Sequence, residues 1–146
     1  EDNPVFWYLS KNTMSAGKYN FTIEQGATLD FEIAYKDSAS VAIDLTDYQA
    51  RMQARPSVGS SEIYFTLSSS LNPCGTGLNM SGSDSLNPPT SGTIGIYLSA
   101  VSSSQLSFDK AVYDLEISSG SGDCYVVTRV LEGKIKLSKN VTLGDF

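Results

Sequence analysis

The sequence predicts an all-β chain, an antiparallel β-sandwich of Ig-like architecture, with about eight strands, one long loop and at most one short helical turn. Three observations carry this. Apolar and polar residues alternate with period two over most of the chain. Clusters of glycine, proline, serine and aspartate punctuate the alternating runs. No stretch keeps a helical period over several turns. At 146 residues the chain is long enough to bury one real core.

The first clear strand is Tyr19 to Glu24, with Tyr19, Phe21 and Ile23 on its apolar face. A Gln25-Gly26 turn leads into Leu29 to Lys36, where Leu29, Phe31, Ile33 and Tyr35 face one way and Asp30, Glu32 and Lys36 the other. Two such runs around a short glycine-bearing turn predict a hairpin. Val41 to Leu45 reads as a short strand or extended connector. Tyr48 to Arg55 is rich in good helix formers, but it alternates strictly and Pro56 follows it, so a strand is expected with Tyr48, Ala50, Met52 and Ala54 inside. Glu62 to Ser68 would bury Ile63, Phe65 and Leu67. Residues 71–91 break the pattern with Pro73, Pro88, Pro89 and several glycines. Such a loop is either a flexible insertion or an arm that orders on a neighbouring subunit.

Strands resume at Gly92 to Leu98, with Ile94, Ile96 and Leu98 inward. One helical turn follows, capped by Ser99, with Val101 and Leu106 tucked under it. Ala111 to Ile117 and Cys124 to Ser138 close the chain as a β-meander around Ser118 to Asp123. Pairing Ile117 near Cys124 would set Leu115 opposite Val126 and Tyr113 opposite Thr128, with Asp114 diagonal to Arg129. The expected organisation is an N-terminal extension or contact arm at 1–17 and a single sandwich at 18–146. Trp7 precedes both cysteines, so the Cys…Trp…Cys order of a true immunoglobulin domain is missing.

Composition narrows the function. The formal net charge is −6 and the pI about 4.4, which argues against a nucleic-acid partner. There is no histidine, which removes the usual general base, the commonest zinc ligand and every Ser-His or Cys-His device. No run approaches the length of a membrane span, so no membrane partner is expected. The apolar N-terminal patch has no basic region before it, unlike an intact signal peptide, and the absence of an initial Met points to removal of a Met or a longer leader. Cys74 and Cys124 are read as free thiols rather than a disulfide scaffold. Asp30 and Glu32, and likewise Asp114 and Glu116, stand two apart on a strand, about 7 Å at the backbone. That spacing suits glycoside hydrolysis, but carboxylates on the polar face of an alternating strand are the expected solvated face. No calcium-loop pattern is present. No catalytic residue, cofactor or metal is therefore assigned.

The phrases Ile23 to Leu29, Asp44 to Pro56, Val112 to Ile117 and Val127 to Ile135, closing near Leu137 to Thr142, occur in the order seen in a group of small tailed-bacteriophage virion proteins. Over most of residues 18–142 the chain resembles that group, including the N-terminal domain of upper baseplate proteins. Asp47 stands where the group's turn has glycine. The resemblance implies a non-enzymatic structural subunit of the virion, in the tail or baseplate or as a fibre-attachment component. Its partners would be other virion proteins or copies of itself. A capsid decoration protein and a carbohydrate-binding β-sandwich module are the alternatives, and a glycan partner belongs to the second. The candidate contacts are Phe6, Trp7 and Tyr8 near the N-terminus, Leu78, Met80 and Leu86 in the loop, and Tyr97.

Overall fold

The computed structural model describes residues 7–8, 17–37, 39–82, 85–120 and 122–144, with Trp7, Tyr8 and Gly122 described through their backbone. Among these residues the chain forms ten strands: β1 (Trp7–Tyr8), β2 (Gly17–Lys18), β3 (Phe21–Glu24), β4 (Leu29–Lys36), β5 (Gln49–Arg55), β6 (Phe65–Ser68), β7 (Gly77–Asn79), β8 (Thr93–Leu98), β9 (Lys110–Ser119) and β10 (Val126–Ser138). One short helix, α1 (Ala100–Ser104), has Ser99 as its cap, as expected. Two 3-10 turns, Pro89–Ser91 and Gly122–Cys124, add to the single helical turn anticipated.

The strands make two sheets packed face to face, an all-β sandwich. One has the order β1-β4-β8-β7. The other has the order β2-β10-β9-β5-β6, and β3 joins β10 on the same side as β2. The pairs β10–β9, β9–β5, β5–β6, β4–β8 and β8–β7 are antiparallel. The N-terminal strands β1, β2 and β3 all add in parallel. The predicted hairpin between residues 19–24 and 29–36 therefore does not form. β3 pairs with β10 in one sheet and β4 with β8 in the other, so the chain arches across the core. Period two marks each strand's buried face but says nothing about its partner, which is why the two arrangements look alike in sequence.

The arch is held from below. Gly26 has φ +84, a left-handed value, and its N–H donates to Ser103 Oγ at 2.9 Å. Ser103, on α1 and fully buried, donates in turn to the Ala27 carbonyl at 2.8 Å. Because Ser103 takes the inward position of that turn, Val101 faces out and is exposed, against expectation, while Leu106 is buried. Asp47 has φ +65, so an aspartate fills the left-handed position where the resembling group has glycine.

Strand β5 forms as the alternation predicts, with Ala50, Met52 and Ala54 buried. Ile63 lies before β6 begins and is exposed, whereas Leu67 is buried. The meander's register differs from the one expected. β9 runs further into the turn, to Ser119, while β10 starts later, at Val126; Gly120 (φ +90) and the 3-10 turn close it, and Cys124 lies in that turn rather than at a strand start. Ile117 therefore pairs with Thr128. A bulge between Arg129 and Leu131 then shifts the frame, so Leu115 faces Leu131 and Tyr113 faces Gly133. The bulge also explains two consecutive buried residues, Val130 and Leu131.

Across the core, Phe21 from one sheet meets Phe31 from the other with ring centroids 5.1 Å apart, and Tyr113 meets Phe21 edge-on at the same distance. The Tyr113 hydroxyl donates to the Tyr19 carbonyl at 2.6 Å. Burial, then the neighbouring Tyr19 and Glu132, push its pKa far above the ordinary tyrosine value. The native state resists loss of this proton more than the unfolded chain does. Its contribution to stability is thus complete below the unfolded value of about 10 and falls as pH rises above it. Chemical denaturation from pH 8 to 11 should show a declining unfolding free energy at the alkaline end. Tyr113→Phe should flatten that decline, and an equal decline in the variant would refute the assignment.

Candidate interaction surface

The predicted contacts scatter rather than converge. Phe6 lies outside the described residues. Trp7 and Tyr8 form edge strand β1, paired with Tyr35 and Lys36 of the chain's own β4. Leu78 is fully buried, opposite Ile96, so it belongs to the core and is corrected as a contact residue. Met80 is half-buried and packs against the same core. Leu86 is 80% exposed. Tyr97 is half-buried on the four-stranded sheet, between Asp30 of β4 and Gly77 of β7.

The described part of segment 71–91 is tied to the chain's own body. It supplies β7 to the four-stranded sheet. Asn72 Oδ1 accepts from the Cys74 and Thr76 N–H groups at 2.9 Å, and Asn79 Oδ1 accepts from Ser81 N–H at 2.9 Å. These asparagine turns replace the missing periodicity with local hydrogen bonds. The Pro89 carbonyl accepts from Leu45 N–H at 3.0 Å and ties the end of the segment back to the body.

A broad concave surface lies elsewhere, on the outer face of the six-stranded sheet. It is a shallow hollow of about 700 Å³ whose floor includes Lys18, Arg51, Asp114, Glu116, Arg129 and Glu132. The three carboxylates are matched to cations. Arg51 reaches Glu116 Oε1 at 2.9 Å, and Arg129 reaches both Asp114 at 3.4 Å and Glu132 at 3.1 Å. Lys18 closes on Glu132 from β2. The Asp114–Arg129 pair is the one expected from sequence, although the register that delivers it is different. Burial first, then Glu116, raises the Asp114 pKa above its usual value, against the opposing pull of Arg129. The hydrogen bond from Lys18 holds that of Glu132 below its usual value.

The Arg51–Glu116 link joins β5 to β9 and was invisible in sequence, because nothing local says that those strands are neighbours. A ladder of compensated charges on a sheet face keeps its groups hydrated and mutually oriented. Both cysteines are free and exposed. Among the described residues, no group of three or more His, Cys, Asp or Glu side chains could hold a metal ion.

No protein-family model and no curated protein matches the chain. Among solved structures, its fold is like that of the N-terminal domain of ORF48 of phage TP901-1. The TM-score is 0.50 at 9% sequence identity, over 92% of this chain and 97% of that one. At that identity the likeness is one of fold.

Proposed function

We propose that this chain is a non-enzymatic structural subunit of a tailed-phage particle, in its tail or baseplate, working through repeated protein–protein contacts. The observation that carries the reading is the extent of the fold match. The match covers nearly the whole of this chain and of a phage protein's N-terminal domain. The ordered phrases from Ile23 to Thr142 support it independently, because they run in the order of virion proteins. The sandwich serves as a rigid spacer, and weak contacts gain strength when symmetry repeats them.

The test is localisation in assembled particles. Purified virions carrying an affinity-labelled copy of the chain should show the label at the tail tip by electron microscopy. Absence of the chain from purified particles refutes the reading. Label on the head instead assigns it to capsid decoration. A glycan array run on the same protein should be blank, and specific sugar binding would favour a carbohydrate-binding module.

A further inference from the structure

The outer face of the six-stranded sheet carries Lys18, Arg51, Arg55, Lys110, Arg129, Lys134 and Lys136, seven of the chain's ten basic residues. It carries four of the sixteen acidic ones, Glu24, Asp114, Glu116 and Glu132. The face therefore sums to +3, and the other described residues, with two basic and eight acidic, to −6. A chain of net −6 is thus strongly polarised.

The polarisation is sharpest at one corner. Lys110 of β9 stands directly opposite Lys136 of β10, and Lys134 is two residues along the same strand face. The three line one hollow of about 490 Å³ with Asn20, Thr22 and Pro56. Unlike Arg51 and Arg129, none of them has a carboxylate partner among the described residues. Like charges set opposite each other on a sheet repel and cost stability.

Two acids, Asp30 and Glu32, stand on the outer face of β4, on the opposite side of the sandwich. Asp30 has no basic partner among the described residues. Burial first, and then the neighbouring Glu32, raise its pKa.

We propose that the lysine corner of one molecule docks on the Asp30–Glu32 face of a second copy of this chain, stacking sandwich on sandwich head to tail. This rests on the assembly reading above and names its partner. The two surfaces lie on opposite sides of one molecule, so the contact is heterologous and repeats as a ring or a stack. It is screened by salt, since both surfaces are solvated before they meet.

Sedimentation velocity over a range of protein concentrations tests it. At about 20 mM NaCl the wild type should show mass rising with concentration, and at about 500 mM it should return to the monomer mass. The triple variant Lys110→Gln, Lys134→Gln, Lys136→Gln should stay monomeric at low salt, with a melting temperature no lower than wild type because the repulsion is gone. The double variant Asp30→Asn, Glu32→Gln should also stay monomeric alone. Mixing the two variants should restore a dimer and nothing larger, since each keeps one intact surface. A wild type that is monomeric at every concentration and salt overturns the inference, as does association that survives in the triple variant. Should a monomeric wild type still be found in purified particles, this inference fails and the assembly reading stands.

Discussion

Gly133→Ala is expected to destabilise the fold by about 3 kcal/mol or more, the upper range for forcing atoms into a packed site. A Cβ at Gly133 would lie 2.1 Å from the Tyr19 carbonyl oxygen, 2.8 Å from its carbon and 2.9 Å from Asn20 Oδ1. The first two are main-chain atoms, so no side-chain rotation relieves the clash. The segment joining β2 to β3 would have to leave β10. It is fastened there by the Tyr19 N–H donating to the Glu132 carbonyl at 2.9 Å, the Tyr113 hydroxyl donating to the Tyr19 carbonyl at 2.6 Å, and the Lys134 N–H donating to Asn20 Oδ1 at 2.9 Å. Loss of these bonds leaves the hydroxyl of the buried Tyr113 without its partner. Gly59 is the control. It has φ +87 but open space where a Cβ would stand, so Gly59→Ala should cost only the left-handed strain of about 1–2 kcal/mol. Urea denaturation of both variants measures the difference. A Gly133→Ala loss below that of Gly59→Ala would show that the approach of Tyr19 to β10 is not structural.

Leu78→Ala is expected to cost about 2–5 kcal/mol, the range for emptying a leucine's volume in a core. Leu78 has no exposed surface and lies opposite Ile96 on β8, which is itself fully buried. Leu86, in the same segment and 80% exposed, should change stability by less than about 0.5 kcal/mol when replaced by alanine. If Leu78 acted as a partner contact the pattern would invert, with stability kept and assembly lost. Thermal melts of the two variants at matched concentration decide between these. A Leu78→Ala melting temperature equal to wild type would remove β7 from the core.

The strands were legible because a half-buried strand leaves a local trace. Ala50, Met52 and Ala54 alternate with Arg51, Gln53 and Arg55, and this overrode the helical propensity of the same residues. Ser99 as a cap was readable for the same reason. Pairing is not local. The Gln25-Gly26 turn suits a hairpin and an arch equally, and what marks the arch lies far along the chain, in the pairing of β3 with β10 and of β4 with β8 and in the bonds to Ser103. The meander's register depended on a bulge at Val130 that no turn residue announces. Leu78 was misread because the asparagine turns around it carry structure without periodicity. The charged face was spelled out in the alternation of residues 110–116 and 132–136. Its polarity became visible only when β9, β10 and β5 were set side by side.

The parallel docking of β2 and β3 on β10 bears on how the chain is made. Residues 17–24 find their partners at 131–138, and the Asn20–Lys134 link alone spans 114 positions. At roughly 5–20 residues per second, a ribosome takes on the order of ten seconds to deliver β10 after β3 has emerged. During that interval Tyr19 and Phe21 have neither their sheet nor Tyr113 to pack against. Closure of the six-stranded sheet therefore waits until β10 has been made, and contacts this far apart make it a slow step.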